Sequence, residues 1–178
     1  DSGGRALDAA RGLDRVFLAL GDQGVRAIGP DGALLGSWLP EAGGGSAQGL
    51  AVQDGALLVA EAGPGAQGTL QVLAADPLAS IMRVALPGAA RTVAAADGLA
   101  FVTHADGDSG ALSVIDVRTP TAGWTRSGGL DIPAAGLAVM PGQARGFAVQ
   151  GDALTALDLA AWPRIVPQGT ITLPLPVT

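Results

Sequence analysis

The stretch HADGDSG holds the residues of this sequence that are best suited to chemistry. It contains His104, the only histidine, followed by Asp106 and Asp108. An imidazole beside carboxylates can bind a metal ion or act as a general base. The residues from Asp106 onward also resemble the start of a calcium-binding loop, in which aspartate oxygens surround the ion.

A tight hairpin is the simpler interpretation of the same stretch. A complete calcium loop needs further oxygen ligands and a bidentate glutamate at a fixed later position, but here the sequence continues directly into the strand-like segment ALSVIDV. Aspartate and glycine are typical of hairpins because they satisfy local backbone groups and tolerate positive φ. We therefore expect a hairpin without a cofactor, in which His104 is an ordinary residue. Calcium bound by Asp106 and Asp108 is the alternative.

The three tryptophans, Trp38, Trp124 and Trp162, are the other candidate binding residues. Tryptophan is enriched at binding hot spots, so these side chains are candidates for a contact surface. They occupy different positions in the repeat described below, unlike the signature tryptophan of a WD40 blade. The competing interpretation is that they cover apolar edges of the sheets, which requires no ligand.

The composition excludes several kinds of chemistry. The chain has no cysteine, which rules out disulfides, thiolate catalysis and cysteine-bound metals. It also lacks a G-x-S-x-G elbow, so a serine hydrolase has no support. The net charge of −6 argues against a nucleic-acid partner. No apolar run approaches the roughly 18 residues that cross a bilayer, and no direct membrane span is expected.

A repeat of about 43 residues must position all of these side chains. One apolar column recurs at intervals of 43, 43 and 44 residues, and a second column contains all three phenylalanines. A fixed period of this kind predicts a repeat architecture, and we expect the phenylalanine column to be buried between sheets. The three clearest columns are Leu7, Leu50, Val93 and Leu137; Phe17, Leu58, Phe101 and Phe147; and Ile28, Leu73, Ile115 and Leu157.

Each repeat contains four short apolar or alternating segments, separated by turn signals such as QDG and ADG. Period-two alternation in LQVL and LSVIDV indicates strands, and Gly or Pro interrupts most windows long enough for a helix. Four strands in about 40 to 45 residues are typical of a β-propeller blade. We therefore predict an all-β chain of four β-propeller blades, at residues 5–42, 43–88, 89–133 and 134–178.

A blade has two apolar faces and must stack on neighbours. We therefore expect the whole chain, 1–178, to be one segment of a larger ring. The partners would be further blades from another chain, a second copy or the same precursor. Closure of the four blades on themselves is the alternative.

Residues 98–120, GLAFVTHADGDSGALSVIDVRTP, resemble the LVIVD-repeat family, in which an apolar strand, an Asp/Gly hairpin and a V-I-D-V-x-x-P segment recur. Residues 56–77, ALLVAEAGPGAQGTLQVLAADP, are similar to it more loosely. This resemblance implies a bacterial β-propeller in an extracellular, cell-surface or periplasmic location. It implies no single activity.

Two hypotheses for function follow. The first is a non-catalytic scaffold or recognition module that binds proteins or ligands through its blade loops. The second is part of a propeller enzyme, lactonase-like or quinoprotein-like, with its active site at the central channel. Such enzymes place acids, His or Asn at inner-strand ends of several blades, but here Asp8 is the only acid in the first-strand columns and Asn is absent. The sequence therefore favours the scaffold.

Overall fold

The computed structural model describes residues 5–12, 14–40, 45–106, 109–118, 126–130, 136–160 and 164–174. Its regular elements within these ranges are β-strands and one 3₁₀ turn at Pro64–Ala66. In this part of the chain, no helix is long and apolar enough to cross a membrane.

The strands form four antiparallel four-stranded sheets, and each sheet is a meander in chain order. We number them sheets 1 to 4. Sheet 1 contains β1–β4, sheet 2 β5–β8, sheet 3 β9–β12 and sheet 4 β13–β16. The strands are β1 (Asp8–Gly12), β2 (Arg15–Ala19), β3 (Val25–Ile28), β4 (Leu34–Trp38), β5 (Ser46–Gln53), β6 (Ala56–Ala62), β7 (Gly68–Ala75), β8 (Leu78–Leu86), β9 (Ala90–Ala96), β10 (Leu99–Asp106), β11 (Ser109–Asp116), β12 (Arg126–Leu130), β13 (Gly136–Met140), β14 (Arg145–Gln150), β15 (Ala153–Asp158) and β16 (Val166–Thr172).

The strand register makes the four sheets equivalent residue by residue. Each member of the predicted phenylalanine column pairs with an alanine of the first strand, at Ala10, Ala51, Ala94 and Ala138. A register shift against the fourth strand also occurs at one equivalent position in every sheet, between Ala27/Ile28, Val72/Leu73, Val114/Ile115 and Ala156/Leu157. The repeat therefore extends to the irregularities of the sheets.

Three apolar cores lie between successive sheets. The Phe17 side of sheet 1 packs on the Leu57 side of sheet 2. The opposite side of sheet 2, with Leu58, packs on sheet 3, and the Phe101 side of sheet 3 packs on sheet 4. The first strands β1, β5, β9 and β13 contact one another in series. The sheets therefore converge along their first strands, as blades do around an axis.

A glycine allows the first strands of sheets 2 and 3 to approach closely. A Cβ on Gly49 would lie 2.8 Å from the Thr92 Cα and 2.9 Å from the Arg91 carbonyl oxygen. Contacts this short do not occur for real side chains, so only glycine fits here. The close approach of β5 and β9, the first strands of sheets 2 and 3, therefore depends on this residue.

The prediction of an all-β fold with four sheets is confirmed, and the arrangement is propeller-like. Among the described residues sheets 1 and 4 share no apolar core, and no closed ring is seen.

Two details of the predicted columns differ from the structure. Leu7 lies before β1 and is 46% exposed, and Ala9 is the residue equivalent to Leu50. Phe147 is only half-buried, whereas Phe17 and Phe101 are at most 2% exposed. The reason is its position, because the Phe147 side of sheet 4 has no following sheet among the described residues to cover it.

Candidate functional site

Two Asp-Gly turns build one end of the sheets. Asp54 and Gly55 join β5 to β6, and Asp97 and Gly98 join β9 to β10. Both residues of each turn have positive φ, at 50° and 79° in the first and 54° and 78° in the second. This is the geometry of type I′ hairpins, which fits the twist of the flanking strands. We call the end of the sheets that carries these turns and the β13–β14 connection the hairpin end.

An open cavity of about 530 Å³ lies across the hairpin end. Its walls come from sheets 2, 3 and 4, and its polar lining residues are Gln53, Asp54, Asp97 and Arg118, with Pro141 on the far side. Asp54 and Asp97 occupy equivalent positions, because each lies three residues before a paired residue of the second strand, Leu57 or Ala100. The repeat thus presents two exposed carboxylates at the same depth.

A smaller apolar pocket of about 180 Å³ adjoins this cavity between sheets 2 and 3. Leu58, Val72, Ile81 and Val117 form its apolar walls. Gln53, Asp54 and Arg118 line both spaces, so the two spaces share one polar border. An extended ligand can therefore place an apolar group in the pocket and polar groups in the cavity.

Gln53 presents a buried acceptor at this border. Its Oε1 is inaccessible to solvent and accepts no hydrogen bond among the described residues. A buried unsatisfied acceptor costs roughly 1–3 kcal/mol. A ligand N–H would remove that cost once the Gln53 side chain turns its oxygen toward the cavity, because the oxygen is closed to solvent in this arrangement.

Arg118, the cation that lines both spaces, is held in place by an ion pair with Asp116. Arg118 Nε lies 2.9 Å from Asp116 Oδ1 and 3.1 Å from Oδ2, and the Arg118 backbone N–H donates to the same carboxylate at 3.0 Å. The side-chain hydrogen bond from Arg118 holds the pKa of Asp116 below its ordinary value, and Asp116 in turn raises the pKa of Arg118. Because Arg118 is already neutralised by Asp116, the carboxylates of Asp54 and Asp97 leave the cavity negatively charged.

Asp97 also joins two sheets. Its Oδ2 accepts a hydrogen bond of 2.9 Å from the Gly142 backbone N–H, in the connection between β13 and β14. The cavity wall is therefore held across the boundary between sheets 3 and 4.

His104 lies at the other end of the sheets and is 2% exposed. Its Nε2 is 2.7 Å from Ser113 Oγ, and its Nδ1 is 3.1 Å from the Ala105 carbonyl oxygen. The register gives it an equivalent residue, Glu61, which is also buried and accepts a 2.7 Å hydrogen bond from Thr69 Oγ1. His104 is thus one of two buried polar residues at equivalent places, each bonded to a hydroxyl of the neighbouring strand.

The residues of the calcium alternative lie only partly within the described ranges. β10 ends at Asp106 and β11 begins at Ser109, and these two residues pair in the register. Asp108 lies outside the described residues. Within the described part of the chain no group of three or more His, Cys, Asp or Glu residues converges. Calcium at Asp106 and Asp108 stays a prediction.

Trp38 is half-buried in β4 and packs against the core between sheets 1 and 2. Trp124 and Trp162 lie outside the described residues, so their part in binding stays a prediction.

Gln53, Asp54, Asp97 and Arg118 were not predicted as site residues from the sequence. The QDG and ADG segments that contain three of them were predicted only as turns. The available signal was their recurrence at the first hairpin of successive repeats.

No family model matches the chain, and no curated protein matches it. In fold it is similar to a functionally unknown protein from Desulfotomaculum acetoxidans DSM 771, with 13% identity over 97% of this chain and 58% of that one and a TM-score of 0.75. It is also similar to a protein from Lactobacillus plantarum, with 14% identity, 94% and 55% coverage and a TM-score of 0.74. A third match is the computationally designed Ika8 protein, with 14% identity, 92% and 48% coverage and a TM-score of 0.66. These likenesses concern the fold alone, and the chain spans about half to three-fifths of the length of the structures it matches.

Proposed function

We propose that this chain is a non-catalytic β-propeller module that recognises a partner through its hairpin end. The observation that carries the proposal is the pair of adjoining spaces at the hairpin end, one apolar and one polar, which share the border formed by Gln53, Asp54 and Arg118. Ligand sites are concave, largely apolar and contain a few placed polar groups. The hairpin end has each of these features.

The chemistry of the lining indicates the class of ligand. The apolar pocket of about 180 Å³ suits one aliphatic side chain, and Gln53 suits an amide N–H. Asp54 and Asp97 favour a cationic group, since opposite charges steer and orient association. We therefore propose that the ligand is a peptide segment or surface loop with an aliphatic residue next to a Lys or Arg.

We also propose that the four sheets belong to a larger propeller ring in an exported or cell-surface protein. Two uncovered apolar sheet faces support the larger ring, since stacked blades need neighbours on both sides. The proposed location rests on the resemblance of residues 98–120 to LVIVD repeats.

Selection from a random peptide library displayed on phage, with the chain immobilised, tests the recognition proposal. We expect enrichment of peptides with an aliphatic residue beside a basic one. Fluorescence anisotropy of a labelled, selected peptide should show about tenfold weaker binding to Gln53→Leu and to Asp54→Asn, since each removes one hydrogen bond or one charge.

The matched control is Asp22→Asn, which changes an exposed aspartate of the β2–β3 turn at the opposite end of the sheets. Its affinity should equal that of the unmodified chain. Selected peptides that bind Gln53→Leu and Asp54→Asn as tightly as the unmodified chain would place recognition elsewhere and contradict the proposal.

A further inference from the structure

Each terminal sheet leaves one apolar face uncovered among the described residues. The open face of sheet 1 contains Val16, Leu18, Ile28 and Leu34, of which Val16 is 40% and Leu34 59% exposed. The open face of sheet 4 contains Phe147, Val149, Leu154 and Ile171, and Ile171 is 60% exposed. Apolar side chains clustered on one face mark an interaction surface.

The covered interface between sheets 1 and 2 shows what such faces bind. There the Phe17 side of one sheet packs on the Leu57 side of the next. An ion pair closes the edge of this interface at the hairpin end, where Arg15 Nη2 lies 3.1 Å from Asp76 Oδ2. The hydrogen bonds that Arg15 donates to Asp76 and then to Asp14 raise the pKa of Arg15, so the arginine stays charged.

The two open faces carry an arginine and an aspartate at the same sequence distance from the aligned columns. The hairpin of Asp31 is shorter than that of Asp76 when both are measured from equivalent residue pairs, and Asp31 accepts a 3.0 Å hydrogen bond from the Ala33 backbone N–H. Arg145 lies two residues before Phe147, as Arg15 lies two residues before Phe17. Asp31 lies three residues after Ile28, as Asp76 lies three residues after the equivalent Leu73. Both Arg145 and Asp31 are exposed, and Arg145 has no ion-pair partner among the described residues.

Further charges distinguish the two faces. Arg11 and Arg26 lie on the open face of sheet 1, at the positions that Val52 and Gln71 occupy on sheet 2. The open face of sheet 4 carries the carboxylate of Asp158, which pairs in the register with Arg145. A surface with two arginines favours an acidic partner over a second surface of its own kind.

We propose that the open face of sheet 4 in one copy packs on the open face of sheet 1 in a second copy, head to tail. Arg145 and Asp31 then repeat the contact of Arg15 and Asp76. A two-fold axis makes the same contact twice, so two copies close a ring of eight sheets with no open face. This inference rests on the proposed larger ring, and it identifies a second copy of the chain as the source of the other sheets.

Charge reversal combined with mixing tests the contact, with mass measured by light scattering after size exclusion. The unmodified chain should have twice the mass of the 17.4 kDa monomer. Arg145→Asp alone and Asp31→Arg alone each place like charges at both contacts, and each should weaken dimerisation roughly 10-fold or more. An equimolar mixture of the two variants should recover the dimer, because each contact then joins opposite charges.

The control is Asp22→Arg, the same charge change on sheet 1 at the opposite end, which should remain dimeric. If a reversal variant fails to fold by circular dichroism, Arg145→Gln and Asp31→Asn provide milder changes that should weaken the dimer in the same direction. A mixture that stays monomeric would overturn the head-to-tail arrangement.

An unmodified chain that is monomeric at all concentrations would overturn the second copy as the occupant. Binding of the dye ANS to that monomer would keep the larger ring with another partner, and absence of dye binding would indicate four sheets closed on themselves. Peptide binding at the hairpin end is measured separately, so failure of the recognition proposal and failure of this one are distinguishable.

Discussion

Phe17, Phe101 and Phe147 occupy one position in three equivalent sheets, so they isolate the effect of a neighbouring sheet on one side chain. Phe17 and Phe101 each lie in a core between sheets, while Phe147 is half-buried on the open face of sheet 4. Phe17→Ala and Phe101→Ala should each lower the free energy of unfolding by about 3–5 kcal/mol. Phe147→Ala should cost about 1–2 kcal/mol at dilutions where the chain is monomeric, since less apolar area is lost. Urea denaturation of the three variants measures this difference.

The comparison has a built-in control, because all three variants remove the same atoms. An equal loss for Phe147→Ala and Phe101→Ala in the dilute monomer would show that another surface already covers Phe147. That result would contradict an open face on sheet 4.

The ion pair between Arg118 and Asp116 predicts how the pKa of Asp116 changes when Arg118 is replaced. Its hydrogen bonds lower the pKa of Asp116, so the ion pair stabilises the folded chain above the unfolded pKa of about 4. That contribution is lost as the pH falls through the lowered folded pKa. Arg118→Gln should therefore move the pKa of Asp116 upward toward its ordinary value. Carboxyl ¹³C shifts followed against pH measure it, and an unchanged pKa would show that the pair does not form in solution.

The sequence predicted some residue positions and missed others for a physical reason. The columns headed by Phe17 and Ile28 match the register in all four sheets because every residue in them is large and apolar and so gives a clear signal. The column headed by Leu7 failed in sheet 1, where the equivalent residue is Ala9. That alanine lies beside Leu18 on the open face of sheet 1, and its small side chain gives no apolar signal in the sequence. Asp54 and Asp97 could not be recognised as site residues from the sequence, because the geometry of a turn already explains an Asp-Gly pair.

At the scale of the element, the shared register shift shows that one irregularity of each sheet does not depend on which residues flank it. The shift falls at one equivalent position in all four sheets, although the flanking pairs differ, from Ala27/Ile28 to Val114/Ile115. A bulge adds twist and turns the outer strand away from its neighbour. No residue type marks it in this sequence, which is why the strands could be predicted and their curvature could not.

Gly49 gives the clearest prediction at this scale. A Cβ at this position would meet the backbone of β9 at 2.8 Å, and backbone cannot move aside as a flexible side chain can. Gly49→Ala should therefore lower the free energy of unfolding by about 1–3 kcal/mol, as overpacking does. Thermal or urea unfolding measures the change.

Gly169→Ala is the matched control for this substitution. Gly169 lies within β16, and a Cβ there would have no heavy atom within 4 Å. Its stability should be close to that of the unmodified chain. If both variants were equally stable, the first strands of sheets 2 and 3 would not converge as closely as the structure shows.

At the scale of the whole molecule, burial follows the position of each sheet in the stack. β6 of sheet 2 is covered on both faces, and the exposed fraction of every side chain from Leu57 to Ala60 is 0%. β14 of sheet 4 has buried residues on one side only, and the side chains of its other face are half-buried or exposed. Stability in stacked repeats is the sum of each unit and its contacts with nearest neighbours. The terminal sheets, with one neighbour each, should therefore open more readily than sheets 2 and 3.

Amide hydrogen exchange measures that difference on equivalent strands. β2, β6, β10 and β14 are each the second strand of a sheet and are hydrogen-bonded on both sides, so they differ mainly in the sheets that cover them. In dilute solution the amides of β6 and β10 should exchange more slowly than those of β2 and β14, because exchange follows the local free energy of opening. Raising the protein concentration should slow β2 and β14 selectively, since association stabilises by mass action. Equal protection of all four strands in the dilute monomer would mean that both terminal faces are already covered within one chain, as in a closed ring of four sheets.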